Sequence, residues 1–371
     1  MSIPFIPTKN ATAGSAAAPT TAALTASGQC AVNAYTGTYY MRKEDGTISD
    51  IAGDRLRGFR NRIFNGAMVI DQRNAGASVT PSVLYSTYTL DRWNTIYSVG
   101  SKFSVQQNAG AVVPPIGFQN YLGVTSLSAY TPGSVEQYTL VQSIEGYNVA
   151  DLGWGAAGAS PVVLSFWIRS SSLTGTFGGV LSNSASNRTY PFTYTISATS
   201  TWEQKTITVA GDTSGTWLKT NGTGIQVIFS LGAGSTYLGT AGSWSGGTYT
   251  GAIGQTNMVA TNASTLYITG VQLEKGLVPT PFEVRSYGAE LALCQRYFET
   301  IGGTVVVAFP PYFPRTFKVT KRASPTLALF SGSAGGAPLD NGTDPLNSLR
   351  WPAGTPATVA SDAIFSVSSE L

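Results

Sequence analysis

The sequence predicts an all-β protein: an antiparallel jelly-roll sandwich with N-terminal hairpins, one short helix and a small C-terminal β domain. Several segments alternate inward and outward positions with a period of two, as in 162–169 (VVLSFWIR). Only 11% of the residues are charged, and 42 glycines supply turns. Short strands joined by Gly-, Ser- and Asn-rich loops over roughly 200 residues are typical of a two-sheet sandwich.

Residues 1–58 are predicted to form a separate N-terminal unit. Its first 27 residues are a low-complexity tract of Ala, Thr, Ser and Pro that cannot build a core alone. Apolar positions then flank two turn signals, Thr36-Gly37 and Asp45-Gly46, and glycine accepts the positive φ of a hairpin turn. Because short hairpins are weak alone, we expect this unit to dock on another surface or to trimerise.

Residues 59–286 are predicted to form the sandwich. Its loops, such as 232–251, show no fixed-period repeat, so a repeat architecture is not indicated. The clearest predicted strands are Val162–Arg169, Phe192–Ile196, Lys205–Val209, Ile225–Leu231 and Leu266–Leu273.

A helix is predicted over residues 287–300, where strong helix formers follow a capping Ser286. Leu291, Cys294 and Phe298 would share one face of this helix. Residues 301–371 return to β-type sequence in TVVVAF, FKVT, TLALF and IFSVS. This C-terminal β domain has a marginal core, so a partner domain or a second copy of the chain would help to bury it.

Several classes of function are disfavoured by the composition. The chain has no histidine, which excludes a Ser-His-Asp triad, a Cys-His pair and histidine-rich zinc sites. Six acids lie between residues 101 and 282, and none is near another in sequence, so the carboxylate pair of a glycosidase is not indicated. We predict no enzyme activity, no cofactor and no metal site.

The net charge of +3 implies no nucleic-acid-binding surface. The sequence contains no apolar run of the roughly 20 residues that span a bilayer, so no membrane partner is expected. The N-terminus shows no secretory signal, and assembly in a cytoplasm is therefore expected.

Aromatic residues in polar loops are the candidate ligand contacts. Trp217, Trp244 and Tyr249 lie in Gly/Ser/Thr-rich loops, where an open ring could stack on a sugar. The alternative is that these rings plug the ends of the sandwich, and exposure decides between the two. Further candidates lie in the C-terminal domain: Tyr312, Phe313 and Trp351.

Two charged groups have both a functional and a structural interpretation. The triplet Asp91-Arg92-Trp93 could clamp a ligand, but an ion pair beside a half-buried tryptophan is favoured, because buried charges are normally paired. A C-terminal basic run could contact anionic glycan or protect a strand edge, and the second is favoured. It comprises Arg315, Lys318, Lys321 and Arg322.

Several blocks of the chain resemble modules of tailed-bacteriophage virion proteins. The segment NRIFNGAMVIDQRNAGASVT is similar to the N-G-x-x-x-x-x-Q-R opening of phage tail and fibre modules, on Asn65, Gly66, Gln72 and Arg73. The similarity continues through YTLDRW, SFWIRSSSLTGTF and TWEQKTITVAGDTSGTW, and closes with GVQLEKG and PFEVRSYGAELALCQRYF. The sandwich also resembles jelly-roll carbohydrate-binding modules, whose first and last strands are neighbours and often flank calcium. Here only Asp71 and Glu274 lie near the two motifs, too few acids for calcium.

The N-terminal block GQCAVNAYTGTYYMRKEDGTISDI resembles a hairpin element of virion fibres that anchors them to the particle. The family's usual text has Glu-Leu where this chain has Gln29-Cys30, so one acid is missing. The resemblance implies that the apolar hairpin positions anchor the chain: Val32, Tyr35, Tyr39, Tyr40, Ile48 and Ile51.

Together these resemblances imply a homotrimeric tail or neck fibre located in the virion. Its N-terminus would attach to other virion proteins of the tail, neck or connector. Its distal β domains would contact host surface polysaccharide. The alternative is a purely structural neck, collar or head fibre without receptor binding.

Overall fold

The computed structural model describes residues 59–82, 86–302, 315–331, 340–341, 346–350 and 364–371, and before them 9–10, 30–33, 38–42, 44 and 48–52. The first part is a four-stranded sheet in which β1 and β2 are parallel and the other pairs antiparallel. The β2–β3 and β3–β4 pairings confirm the two predicted hairpins. The strands are β1 (Lys9–Asn10), β2 (Cys30–Asn33), β3 (Thr38–Arg42) and β4 (Ile48–Ala52).

Two antiparallel sheets form the sandwich, which confirms the predicted fold class. All five strands singled out from the sequence are present, and the one over 162–169 has the predicted bounds. The strands are β5 (Thr87–Tyr88), β6 (Asn94–Tyr97), β7 (Phe103–Gln107), β8 (Leu122–Ser126), β9 (Gln137–Glu145), β10 (Val162–Arg169), β11 (Gly175–Ser182), β12 (Thr189–Ile196), β13 (Glu203–Val209), β14 (Thr223–Ala233), β15 (Leu238–Gly239), β16 (Gly251–Ala252) and β17 (Thr265–Lys275).

One sheet has five strands in the order β13-β10-β17-β8-β7, and the other has six in the order β12-β11-β14-β9-β6-β5. Strands β15 and β16 pair separately and parallel. The loops add short 3-10 turns at Ala109–Ala111, Gly146–Asn148, Ala150–Leu152, Ser235–Tyr237 and Met258–Ala260.

Aromatic rings join the two sheets through the core. Phe166 on β10 lies edge-on to Phe229 on β14 and Tyr194 on β12, at centroid distances of 5.0 and 5.1 Å. All three rings are buried. Such pairs add about 0.5–1.5 kcal/mol each beyond the burial of area. Burial of every second side chain of β10 between the two sheets, as for Phe166, is thus what stabilises this segment as a strand.

The helix is shorter than predicted. Helix α1 (Tyr287–Gln295) begins where expected, and the Ser286 hydroxyl accepts a hydrogen bond from the Ala289 amide at 3.4 Å. It ends five residues before the predicted end at 300, because the chain turns into strand β18 (Phe298–Gly302), which pairs with β23 (Ile364–Ser368). Phe298 is therefore a strand residue and not part of the helix face.

The C-terminal residues form two three-stranded sheets, ordered β18-β23-β20 and β19-β22-β21. The predicted strands TLALF and IFSVS are confirmed, whereas TVVVAF lies outside the described residues. FKVT is not a strand, since after Thr316 the Phe317 amide donates to Asn347 and the chain bends. The remaining strands are β19 (Arg315–Thr316), β20 (Thr326–Ser331), β21 (Asp340–Asn341) and β22 (Ser348–Arg350).

Candidate functional site

The opening motif of the sandwich folds around the buried side chain of Asn65. Its amide donates to the carbonyls of Ile70 (2.7 Å) and Asp91 (3.0 Å) and accepts from the Ile70 amide (2.9 Å). A Cβ on Gly66 would overlap the carbonyl of Val271, which lies on the last strand of the sandwich. The opening segment therefore lies against β17, although it is a turn and not the first strand that the resemblance implied.

Gln72 of the same motif holds Asp91. Its amide and side chain donate to the two carboxylate oxygens of Asp91, both at 2.7 Å, and its side chain also donates to the Phe298 carbonyl at 3.0 Å. Asp91 is fully buried. Burial raises the pKa of Asp91 to about 6, although Arg73 and the hydrogen bonds from Gln72 act to lower it.

The predicted pairing of Asp91 with Arg92 is wrong. Both residues lie in the turn between β5 and β6, where Arg92 has a φ of 70°, and their side chains reach different partners. Arg92 forms its ion pair with Glu370, near the C-terminus. Its guanidinium lies 3.6 Å from the ring centre of Tyr297. Trp93 is fully buried and not half-buried, and its indole donates to the Asn65 carbonyl at 3.0 Å.

Glu370 also binds Arg73, the last residue of the opening motif, at 2.7 Å. The Arg73 guanidinium stacks on Phe298 at 3.7 Å from the ring centre. We call this group, Gln72, Arg73, Asp91, Arg92 and Glu370, the buried junction. It joins the sandwich to α1, β18 and the C-terminal strand.

A second carboxylate strengthens the same connection. Glu145 at the end of β9 accepts two hydrogen bonds from Arg296, at 2.9 and 2.6 Å, and one from the Tyr297 hydroxyl at 2.7 Å. Burial alone would raise the pKa of Glu145, but these hydrogen bonds outweigh it and lower that pKa. The QRYF end of the sequence motif is thus a structural clamp.

The basic run does not lie along one strand edge, because strand β19 ends at Thr316 and the chain bends at Lys318, which corrects the strand-edge interpretation. Lys321 is buried and pairs with the equally buried Glu299 at 3.0 Å. Burial lowers the pKa of Lys321, and Glu299 opposes that shift. Arg322 donates to the carbonyls of Ser369, Glu370 and Asn221. Long-range contacts therefore use the charges of Lys321 and Arg322 internally, whereas Lys318 remains exposed.

The loop tryptophans form a packed cluster at one end of the sandwich. Trp154 contacts Trp217 and Trp244 edge-on, with centroids 4.7 and 5.2 Å apart. The indoles donate to backbone carbonyls at 2.7–3.1 Å. Trp217 is only 7% exposed, so the interpretation that fits this ring is the one in which it plugs the end of the sandwich. Trp244 remains half-buried.

Tyr249 packs on the outer face of the six-stranded sheet beside Val141, Val180 and Ile228. The ring lies so close to Gly239 and Gly247 that a Cβ on either glycine would overlap it. Tyr249 is half-buried and acts as a cover for this apolar patch.

The remaining predicted site residues are only partly described. Val32, Tyr39, Tyr40, Ile48 and Ile51 lie on the N-terminal strands, where the structure gives the backbone pairing alone. The other candidates, Tyr35, Tyr312, Phe313 and Trp351, lie outside the described residues.

The outer face of the five-stranded sheet carries an aromatic group that the sequence analysis did not assign to a site. Trp167 and Arg169 alternate outward on β10, opposite Thr269 and Tyr267 of β17. Trp202 immediately precedes Glu203, the β13 register partner of Ile168, so it is the next neighbour of Arg169. Trp167, Arg169 and Trp202 are partly exposed. We call these three residues the aromatic face.

Two buried tyrosine rings, Tyr121 and Tyr267, pack against the residues of the aromatic face. Tyr121 lies edge-on to Trp202 at 5.7 Å and to Tyr267 at 5.4 Å. The Trp202 indole donates to the Val113 carbonyl at 2.8 Å, which sets the ring orientation. These contacts preorganise an aromatic surface.

Polar and apolar groups surround this surface. Strand β13 exposes Gln204, Thr206 and Thr208 on the same face. Loop residues Val113 and Ile116 are 82% and 102% exposed, and Phe118 lies against Phe282 at 5.1 Å. The sequence signal for this face was the period-two alternation of residues 162–169, which places Trp167 and Arg169 on the opposite side of the strand from Phe166 and Ile168.

The six carboxylates of residues 101–282 are all engaged. Glu145, Glu203 and Asp212 pair with Arg296, Lys205 and Arg188. Asp151 pairs with Arg62, and Glu136 and Glu274 accept hydrogen bonds from neighbouring residues.

Within the described part of the chain, no three His, Cys, Asp or Glu side chains are grouped to hold a metal ion. Asp71 instead accepts the amides of Asn74 (2.9 Å) and Gly76 (2.7 Å) within its own turn. No helix of the described residues is long and apolar enough to cross a membrane.

No family model and no curated protein sequence matches the chain. Solved structures match at low identity.

The enzymatically active domain of tailspike protein 4 of bacteriophage CBA120 is 11% identical to this chain, with a TM-score of 0.29. The match covers 58% of this chain and 21% of that one. A family 11 carbohydrate-binding module from Clostridium thermocellum, in complex with a β-1,3-1,4-mixed-linked tetrasaccharide, is 14% identical, with a TM-score of 0.27 and coverage of 55% and 100%. The N-terminal cellulose-binding domain of Cellulomonas fimi β-1,4-glucanase C is 16% identical, with a TM-score of 0.26 and coverage of 48% and 91%.

Proposed function

We propose that the chain is a non-catalytic fibre or appendage protein of a tailed-bacteriophage virion that binds host surface glycan. The resemblance of residues 59–300 to phage tail modules, and of the N-terminal hairpins to a virion anchor, supports the virion role. The observation that carries glycan binding is the aromatic face, where Trp167 and Trp202 stay partly exposed on a rigid sheet.

Sugar binding would use stacking and hydrogen bonding together. An indole ring offers a large flat area with little loss of side-chain entropy, and sugar C–H faces pack on such rings. The neighbouring exposed Gln204 and Thr206 supply donors and acceptors for hydroxyl groups. Contact with a shallow surface of this kind is weak at a single site.

Adhesion would come from several copies acting together. We propose a homotrimer whose N-terminal hairpins attach to other virion proteins. Tethered sites reach effective concentrations of about millimolar, so weak single contacts add to strong attachment. The proposed units are residues 1–58, 59–286, 287–300 and 301–371.

We propose that the chain binds glycan without hydrolysing it. Hydrolysis of a glycosidic bond uses one carboxyl group as an acid and a second as base or nucleophile. The six carboxylates of the sandwich segment are engaged in ion pairs or hydrogen bonds. Burial acts to raise the pKa of Glu145 and Asp212, but hydrogen bonds from Arg296 and Arg188 outweigh it and lower both pKa values. Such groups are poor general acids near neutral pH.

A purely structural neck, collar or head fibre is the second candidate. The observation that favours it is the closed packing of the three loop tryptophans, which leaves Trp217 buried. In that case the sandwich would be a spacer, and no glycan would bind it.

Tryptophan fluorescence of the full chain, titrated with host surface polysaccharide, separates the two candidates. We expect the emission to shift on binding and Trp202→Ala to weaken affinity at least tenfold, since stacking on this ring is lost. Tyr147→Ala is the matched control, because Tyr147 is an exposed aromatic residue (62%) outside the aromatic face. Unchanged emission at saturating polysaccharide, with no binding by calorimetry, would favour the structural fibre.

A further inference from the structure

We infer that the aromatic face prefers acidic glycans, and that Arg169 binds the anionic group of the sugar. This inference rests on the proposed glycan-binding function and adds the class of ligand to it. The chemistry is a carboxylate or phosphate carried on a sugar ring that stacks on the neighbouring indole.

Among the arginines whose side-chain contacts the structure gives, Arg169 differs in forming neither an ion pair nor a hydrogen bond to a carbonyl. It has no carboxylate or carbonyl partner among the described residues, and its Nη1 atom is buried without a hydrogen bond. Arg322, by contrast, donates to three backbone carbonyls. The arginines that pair with a carboxylate are Arg62, Arg73, Arg92, Arg188, Arg285 and Arg296.

The charge of Arg169 is held in place without being neutralised. Its guanidinium carbon lies 5.3 Å from the ring centre of Tyr267, its cross-strand neighbour, and stacking on this buried ring orients the planar group. A buried donor without a partner costs free energy that an anionic ligand would recover by reorienting the group. The side chain remains partly exposed, so a ligand can reach it.

The neighbours of Arg169 favour a sugar as the carrier of the anion. Trp202 lies beside it on the strand β13 side, and Trp167 lies two residues earlier on the same face of β10. A pyranose ring stacked on Trp202 would place a ring substituent next to the guanidinium. A guanidinium binds planar carboxylates and phosphates through two parallel hydrogen bonds, which a neutral hydroxyl cannot match.

The test compares acidic and neutral forms of one glycan on the full-length protein. The probes are tetragalacturonic acid, its fully methyl-esterified form and a phosphorylated neutral tetrasaccharide, measured by saturation-transfer NMR and calorimetry. We expect the acid to bind at least tenfold more tightly than the ester. Arg169→Gln should remove this preference, and Arg169→Lys should keep part of it, because the charge remains but the planar fork is lost.

Lys219→Gln is the control for loss of one positive charge, since Lys219 is an exposed side chain on another loop. It should retain the preference, and the melting temperature of each variant shows that it is folded. Tighter binding of the phosphorylated probe than of the uronate would assign the anion as phosphate within the same site.

Two results would overturn the inference and separate it from the proposed function. Equal binding of acid and ester by the wild type, with Arg169→Gln unchanged, rejects the acidic preference and leaves glycan binding intact. Binding of none of the probes and of no host polysaccharide rejects the glycan-binding function together with it.

Discussion

At the scale of single residues, Asn65 and Gln72 of the opening motif form hydrogen bonds to buried polar groups. Asn65 has a φ of 54° and uses its side chain to close the turn up to Ile70, which explains why a short polar side chain stands there. Gln72 holds the two oxygens of Asp91. These residues were recognised in the sequence, but their partners lie in other segments of the chain.

Asp91→Asn should change the dependence of stability on pH. The folded pKa of about 6 is above the ordinary value of about 3.9, so the native state binds the extra proton between these values. The protonated Asp91 carboxyl therefore contributes to the free energy of unfolding at low pH, and this contribution is lost as pH rises from about 4 to 6. A shift of two units corresponds to about 3 kcal/mol.

Urea unfolding of wild type and Asp91→Asn from pH 4 to 7 measures this effect. We expect the stability of the wild type, relative to the variant, to fall by up to about 3 kcal/mol over that range. Parallel pH profiles for the two proteins would show that Asp91 titrates normally in the folded state.

At the scale of elements, the C-terminal segment completes the sandwich. Glu370 reaches Arg73 and Arg92, and the Tyr88 hydroxyl donates to the Leu371 carbonyl at 2.8 Å. The strands could be predicted because inward apolar and outward residues alternate within each of them, and this pattern is visible in a short stretch of sequence. The end of α1 and the partner of Arg92 were missed because they depend on a strand and a carboxylate far along the chain.

Glu370→Gln should destabilise the protein strongly. The substitution leaves Arg92, which is 2% exposed, and Arg73 without their shared counter-ion. Breaking a buried ion pair in this way costs about 3–5 kcal/mol. The measurement is the urea midpoint at neutral pH.

Asp151→Asn is the matched control for that substitution. It removes the partner of Arg62, but Asp151 is 48% exposed, so solvent already screens the pair and the loss should be below about 1 kcal/mol. Equal effects of the two substitutions would mean that the buried junction does not hold the C-terminal segment.

At the scale of the whole molecule, local patterns predicted the class of fold better than the site. The polar sequence context of the loop aromatics left open whether their rings are exposed or plug the sandwich, because the packing partner Trp154, which contacts both Trp217 and Trp244, lies far away in the sequence. The aromatic face depends on register between β10, β13 and β17. Such register becomes visible only once the strands are paired.

The proposed assembly predicts a trimer for the full chain in solution. The N-terminal sheet has only four short strands, which is a weak unit without further burial. Native mass spectrometry should give three times the mass of 38.8 kDa. Removal of residues 1–58 should weaken the trimer, and a monomer at all concentrations for the full chain would contradict the assembly.

The most direct measurement is a crystal structure of the full chain with a bound fragment of host surface polysaccharide. The proposed glycan-binding function predicts a sugar ring stacked on Trp202, with an acidic substituent within hydrogen-bond distance of Arg169. Sugar bound instead at the Trp244 end of the sandwich, or at the C-terminal domain with the aromatic face empty, would contradict it.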